Sequence, residues 1–444
     1  MTGTTTSPWI DRFLPVLDKE EIKRRALRSA VPLSALHELP TDSACRALTD
    51  AMQLVFHPTT QIVDILHQLV SRAYGHCLQL YPDIQSFTGN VYRQDSPLPQ
   101  FASPACITGL AGVGKSCLAS ALERVLPSDG YVACPPESSK FPMRSLWRVD
   151  VQVRSSLKDM LAPLGGSEGS LGDQLKTARK RAYRDGVALL LADEFQFLTA
   201  SASANTRITQ TLLSMGYCGL PTVYVANHSL LHRLLRRPQE DRDRLLADLM
   251  ILSPDTPESD DWSDTLAALI AVSPEIFRIN PKTDAPQFHR YCAGIKRAAV
   301  GLLVEGYRIA RSQTNDGRFT VNMEHIQSAY RSHLFFAHRI DIEIVTQQLI
   351  LGRQVDNKRN DLWCPIGQPD RLHPKLTEEM RQRRDLRLTE EIQRAATSGQ
   401  ERKTNKPVNR THHTGESSTV VKLPRRARPD AETLRTNAAS LRDL

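Results

Sequence analysis

Gly109-Leu110-Ala111-Gly112-Val113-Gly114-Lys115-Ser116 is the stretch on which the reading of this chain turns. It satisfies G-x-x-x-x-G-K-[ST] in the setting that gives the pattern meaning. The apolar run Ala105-Cys106-Ile107-Thr108 before it reads as a buried strand, and Cys117-Leu118-Ala119-Ser120-Ala121-Leu122 after it reads as a helix. Glycines let backbone N–H groups curl around the β- and γ-phosphates of a nucleotide, and the helix N-terminus adds a favourable dipole. Lys115 supplies a point charge and Ser116 offers a hydroxyl to Mg²⁺. Gly109, Gly112, Val113, Gly114, Lys115, Ser116 and Cys117 are therefore the expected phosphate cradle for ATP and Mg²⁺. The expected fold is α/β, a P-loop NTPase with a central parallel sheet flanked by helices.

Downstream, Val187-Ala188-Leu189-Leu190-Leu191-Ala192 ends in Asp193-Glu194, as a central parallel strand with acids at its C-terminal end does. Asp193 is expected to hold the hydration shell of Mg²⁺, and Glu194 to polarise the attacking water as general base. A third strand, Leu220-Pro221-Thr222-Val223-Tyr224-Val225-Ala226, ends in Asn227-His228. Asn227 either touches the γ-phosphate or the lytic water, or simply caps the strand end as Asn commonly does. Residues 234–246 concentrate arginines ahead of another apolar stretch at 248–254. Arg244, and after it Arg242, are candidates to stabilise charge on a transferring phosphoryl group in a neighbouring subunit; the alternating Asp and Arg describe an ion-paired exposed helix face equally well. Gly294-Ile295-Lys296-Arg297 opens the helical repeat at 298–304 and fits the sensor 2 of AAA+ lids, with Arg297 reaching the γ-phosphate.

Composition bounds the rest. A chain of 444 residues can bury a sizeable core and carry appendages, and none of its apolar stretches approaches the length of a membrane span. The N-terminus lacks a basic region followed by an apolar one, so the expected location is the cytoplasm. The eight cysteines are scattered, without C-x-x-C pairs, and read as reduced thiols, mostly in the core. Of the 57 Lys and Arg, 17 lie from Arg371 onward, with 10 of the 49 Asp and Glu, so seven of the eight net positive charges reside there. Residues 372–396 have helix-forming composition and residues 397–428 a composition that resists folding. Such a basic tail either attaches to nucleic acid or an acidic partner, or is a solvated terminus.

Upstream, Ile62, Ile65, Leu66, Leu69 and Val70 recur at helical spacing after a cap at Thr59 or Thr60. Residues 7–50 read as short helical pieces outside the main core. The expected division is a protein-docking N-terminal extension at 1–51, an AAA+ core at 52–275, a small helical lid at 276–350 and a basic, partly disordered C-terminal region at 351–444.

Taken together, the motifs resemble the TnsC/TniB family of AAA+ transposition regulators over residues 52–310. The resemblance is carried by Phe56-His57-Pro58, the loop from Gly109 to Ser116, Asp193-Glu194-Phe195-Gln196, Arg242 and Arg244 before the Leu-Ser-Pro strand, and Gly294 to Arg297. Gln196 follows the acids at that family's spacing. The resemblance implies ATP-dependent homo-oligomerisation into rings or filaments on double-stranded DNA, marking of a target site, and recruitment of a transposase, with a separate target-selector protein. It puts Phe56, His57 and Pro58 beside the adenine, and DNA contacts among Arg148, Arg154, Lys158, Lys176, Arg179 and Lys180, although residues 176–184 read equally as a solvated helix face. Both terminal regions are longer than a minimal TniB core. Two other classes use the same motifs: a helicase-loading or initiator-type AAA+ protein, and a signalling scaffold ATPase of the STAND type that does not touch DNA. No winged-helix tail and no tandem repeats are evident to favour either.

Overall fold

The computed structural model describes residues 7–134, 139–150, 157–166, 168–193, 204–314 and 319–366. Helices α1 (Pro8–Asp11), α2 (Lys19–Ala26), α3 (Thr41–Leu54), α4 (Thr60–Leu80) and α5 (Ile84–Val91) come first. The core then runs β1 (Ala105–Gly109), α6 (Lys115–Val125), β2 (Gly130–Cys134), β3 (Ser139–Met143), β4 (Leu146–Asp150), α7 (Leu157–Gly165), α8 (Leu171–Arg184) and β5 (Leu189–Asp193). It continues through α9 (Ala204–Gly216), β6 (Thr222–Asn227), α10 (His228–Leu234), α11 (Gln239–Leu245) and β7 (Asp248–Leu252). Helices α12 (Asp260–Ile270), α13 (Pro281–Cys292), α14 (Lys296–Ser312), α15 (Met323–Arg331) and α16 (Phe336–Leu351) follow, then a 3-10 turn at Asn360–Leu362.

The five-stranded sheet has the order β4-β5-β6-β1-β7, with every neighbouring pair parallel; β2 and β3 form a separate antiparallel pair. Every residue of β1 and β5 is buried, and all of β6 except Asn227. That is why the three runs are continuously apolar: helices cover both faces of a parallel sheet, so no position alternates toward water. The edge strand β7 is only half-buried. Register sets Gly109 opposite Asn227 on one side and Leu252 on the other, and Asp193 opposite Asp150. The candidate residues thus gather where ligands bind in open α/β sheets, beyond the carboxyl ends of the strands.

Residues 7–50 do not stand outside the core as expected. Trp9, Phe13, Val16, Ile22 and Ala26 are fully buried. The Trp9 ring stacks on Tyr81 with centroids 5.3 Å apart and lies 4.5 Å from Phe87, and Tyr81 in turn stacks on Tyr183 at 5.1 Å. Arg12 donates to the carbonyls of Met143, Arg144 and Gly186 at 3.0–3.1 Å. Helix α3 packs on α14, and Arg311 of α14 donates to the carbonyls of Leu36, His37 and Leu39. These segments carry only short apolar pieces because they fill gaps in a core that other elements frame.

Helix α4 starts where its apolar periodicity begins. Its N-cap is Thr59, but no side chain caps it from within; Asp261 accepts from the Thr60 N–H with both carboxylate oxygens at 3.1 Å. After α16 the chain returns to the sheet. Gln348 Nε2 donates to the Leu362 carbonyl at 2.9 Å, Arg359 bonds Asp341 at 2.7 Å, and His232 Nε2 on α10 donates to the Trp363 carbonyl at 2.9 Å. Seven of the eight cysteines are buried and Cys117 is exposed; none is bonded to another. Among the described residues no helix is long and apolar enough to cross a membrane. The helix-forming stretch 372–396 and the tail beyond it lie outside the described residues.

Burial of Trp9 makes the first helix a stability element. Trp9→Ala is expected to cost about 3–5 kcal/mol by denaturant unfolding, whereas Tyr131→Ala, at a position 73% exposed, stays near the parent. An unchanged midpoint for Trp9→Ala would mean that the segment is a detachable appendage.

Candidate functional site

The phosphate loop is shaped by what its glycines omit. Gly112 and Gly114 sit at φ of +81° and +112°, in the left-handed region that side chains disfavour. A Cβ on Gly109 would stand 2.4 Å from the Leu252 carbonyl oxygen, so β1 and β7 close only around a glycine. Gly114 is the N-cap of α6, which aims the first N–H groups of that helix into the loop. The Lys115 ammonium is buried and donates to the carbonyls of Gly109 and Leu110 at 2.9 and 2.8 Å, so it is held inside the loop's own curl.

The loop opens onto a cavity of about 950 Å³. Its wall brings together Phe56 and His57, then Gly112, Gly114, Lys115, Ser116 and Cys117, then Asn227 from the end of β6 and Arg297 from the start of α14. Gly109, Val113 and Pro58 lie behind this wall, with Val113 and Pro58 buried. Asn227 is the N-cap of α10 yet makes no side-chain cap bond, and its side chain borders the cavity instead. Arg297 N–H donates to the Gly112 carbonyl at 3.1 Å, and a Cβ on Gly112 would stand 2.8 Å from the Arg297 Cβ. The Gly-x-x-Arg motif works through its glycine as well. Gly294, at φ +68°, ends the turn after α13 against the Asp255 carbonyl, where a Cβ would come within 2.7 Å.

Three cations face the cavity at its loop end: Lys115, Lys296 and Arg297. Lys296, the residue before Arg297, borders Gly114 and reaches Asp255 at 3.8 Å. From Arg297 one face of α14 continues along the wall through Val300, Gly301, Val304, Glu305 and Arg308, a span of about 16 Å at 1.5 Å per residue. Spacings of three and four would have marked that face in the sequence. Thr49 and Gln53 of α3 oppose it, and nothing in the sequence signalled them. The cavity therefore grades from a cationic end at the loop to a mixed one, where Val300 and Val304 stand beside Thr49, Gln53, Glu305 and Arg308. Phe56 is fixed at the wall by a reciprocal backbone pair with Arg28, both bonds 2.9 Å, and the Arg124 guanidinium lies 5.6 Å over its ring. Burial lowers the His57 pKa against the opposing pull of Asp264, 3.8 Å away.

Other candidates stand elsewhere. Asp193 closes β5 with 2% exposure, next to Arg148, and does not line the cavity. Arg242 and Arg244 lie on α11, away from the wall. Arg244 pairs with Glu240 at 2.9 Å and covers the Phe101 ring at 5.7 Å, and Arg237 pairs with Asp241, so the ion-paired face is present. Lys158, Lys176 and Lys180 are exposed on α7 and α8. Arg179 instead donates to the carbonyls of Leu98, Pro99 and Tyr217 at 2.7–2.8 Å. Glu194, Phe195, Gln196 and Arg154 lie outside the described residues. His228, directly after Asn227, is buried with Nδ1 3.2 Å from Thr108 Oγ1; burial first, and then nearby Lys115, bring its pKa down to about 3.

No protein-family model matches the sequence and no curated protein matches it. Among solved structures the chain is similar to the ORC1 protein of Aeropyrum pernix in complex with DNA, at 17% identity and a TM-score of 0.40, covering 69% of this chain and 72% of that one. It is similar to domain III of the replication initiation protein DnaA of Thermotoga maritima at 14% identity and a TM-score of 0.32, covering 56% and 89%. A structure of katanin self-assembly gives 13% identity, a TM-score of 0.37 and coverage of 70% and 98%. The architecture, a parallel sheet of order β4-β5-β6-β1-β7 flanked by helices, entered by a phosphate loop and followed by further helices after β7, is that of a P-loop NTPase.

Two outcomes follow from this geometry. Gly112→Ala places a side chain against Arg297 and at a disfavoured φ, so binding of a fluorescent ATP analogue should weaken roughly tenfold or more while the circular-dichroism spectrum stays native. Unchanged affinity would show that the contact between loop and lid does not shape the cavity. The second concerns acid. His76, His228 and His289 have pKa values brought down to about 4, 3 and 4 by burial. Their unfolded values are near 6.5, so below that pH the unfolded chain binds protons that the native chain refuses. The stabilisation is complete above about pH 6.5 and is lost as pH falls toward 4. Urea midpoints should therefore drop between pH 7 and pH 5, and His289→Gln should flatten the slope by about one proton.

Proposed function

We propose that this chain is an ATPase of the AAA+ type that assembles on double-stranded DNA in its ATP state and acts as a transposition regulator of the TnsC/TniB kind. The observation that carries the reading is the single cavity in which the phosphate loop, Asn227, Arg297 and the Phe56-His57 wall converge. In this reading Lys115 and the loop N–H groups hold the phosphates, Phe56 and His57 border the base, and Arg297 ties nucleotide to lid.

The donors present suit Mg²⁺. A hydroxyl on the first turn of α6, Ser116, and a buried carboxylate at a neighbouring strand end, Asp193, are hard oxygen ligands in a site otherwise rich in cations. Mg²⁺, when bound, neutralises charge on the β- and γ-phosphate oxygens. Glu194, the residue after Asp193, is placed by sequence to take a proton from the attacking water, and Asn227 to orient that water. Arg244 does not reach its own cavity, which suits a residue that serves the neighbouring subunit's nucleotide. To do so it must leave Glu240, an exposed i,i+4 pair of small worth.

For DNA, the supporting residues are the exposed Lys158, Lys176 and Lys180 and the basic stretch from Arg371 onward. That stretch is also the proposed attachment for a transposase or target selector. A helicase-loading or initiator role would use the same nucleotide site and differ in the protein recruited.

The test is the lifetime of DNA-bound oligomers after dilution, measured with phosphate release. Lys115→Ala should abolish nucleotide binding and assembly. Glu194→Gln should lower hydrolysis by about two orders of magnitude and lengthen the bound lifetime in ATP. Arg244→Ala should weaken assembly while a single chain still binds nucleotide. DNA affinity should fall with salt at a slope of about −0.9 per phosphate neutralised and depend little on sequence. A chain that hydrolyses ATP normally but neither assembles nor binds duplex would favour a scaffold and sink the DNA reading.

A further inference from the structure

We propose that Arg148 is a positioning residue of the nucleotide site: a resident cation that holds Asp193 until Mg²⁺ arrives, and then passes to Glu123. The inference rests on the Mg²⁺-nucleotide reading above. It reassigns a residue that the family resemblance put with the DNA contacts.

Arg148 projects from β4, the edge strand next to β5. Its Nη1 lies 2.9 Å from Glu123 Oε1 on α6, and its Nη2 lies 3.5 Å from Asp193 Oδ2. The guanidinium thus spans the phosphate-loop helix and the strand end that carries the buried acid. The two carboxylates are unequal. The Glu123 side chain is 39% exposed and that of Asp193 only 3%. A carboxylate so buried needs a cation to offset its desolvation, and Arg148 supplies one. A dication arriving beside Asp193 repels that guanidinium. Glu123 already accepts from it at the shorter distance, so Arg148 can yield Asp193 without losing its other partner. This makes Arg148 a competitor of Mg²⁺ for Asp193, and Glu123 the group that weakens the competition. A guanidinium facing two carboxylates is also poorly suited to a DNA phosphate, because its charge is already matched.

The two variants that test this move in opposite directions. Binding of a non-hydrolysable fluorescent ATP analogue to the full chain is titrated with Mg²⁺, and thermal unfolding is followed with and without Mg²⁺. Arg148→Gln removes the competitor, so half-saturating Mg²⁺ should fall about threefold or more, and Mg²⁺-nucleotide should raise the melting temperature by more than in the parent. Glu123→Gln removes the carboxylate that accepts from the guanidinium at the shorter distance, so half-saturating Mg²⁺ should rise by about the same factor. Arg148→Lys, which keeps the charge, should fall between the parent and Arg148→Gln. Duplex affinity of Arg148→Gln at saturating Mg²⁺-nucleotide should match the parent. Loosening of the fold alone would shift both variants the same way, and that result overturns the proposal. So does an unmoved Mg²⁺ titration, with or without lost DNA binding. A parent chain whose nucleotide binding ignores Mg²⁺ would instead remove the nucleotide reading on which the inference stands.

Discussion

A backbone hydrogen bond of 3.1 Å, from the Arg297 N–H to the Gly112 carbonyl, joins the phosphate loop to the helices that follow the sheet, and much of the molecule is arranged to keep it. The bond requires that position 112 have no side chain, because the Arg297 Cβ occupies that space. It also requires that α14 begin where it does. The left-handed Ala293 and Gly294 turn the chain there, while His289 Nε2 donates to the Asp255 carbonyl at 2.9 Å and Lys296 reaches the Asp255 carboxylate. The segment after β7 and the loop after β1 are thus pinned to one helix start. Any displacement of the loop is felt at α14 without an intermediary.

The N-terminal residues serve the same end from the other side. Arg124, at the far end of the phosphate-loop helix, donates to the Ala26 carbonyl at 2.8 Å and covers the Phe56 ring. Helix α6 therefore supports the wall of the cavity as well as its floor. Helix α3 lies against α14, whose Arg311 is tied to the backbone of residues 36–39. The segment before the sheet thus touches the loop helix, the cavity wall and the lid together.

Much of this was legible in the sequence where a local pattern has one cause. Apolar runs ending in a glycine loop, in Asp-Glu and in Asn-His became β1, β5 and β6, because a strand covered on both faces admits no other composition. The face of α14 and the glycine of Gly-x-x-Arg are local as well. What escaped depends on partners remote in sequence. Trp9 is buried by Tyr81 and Phe87, and no pattern within residues 7–50 announces that. Strand β4 went unread because Arg148 and Asp150 interrupt its apolar residues. Arg148 looked like a free cation because Glu123 and Asp193 come to it only through the fold. Thr49 and Gln53 reach the cavity for the same reason.

The return of the chain after α16 has a mechanical consequence. A flap joined to a body at one place can swing about that joint through any angle its surroundings allow. Here the helices from α12 to α16 are joined to the sheet at both ends, by the connection from β7 and by residues 352–366. The second is fastened to the lid through Gln348 and Asp341 and to α10 through His232. A body fastened at both chain ends, and held between them by Arg297 to the phosphate loop and by Arg311 to residues 36–39, has no single hinge about which to swing. Because the second anchor sits on the helix that Asn227 caps, the end of β6 that borders the cavity and the far end of these helices are tied to the same element.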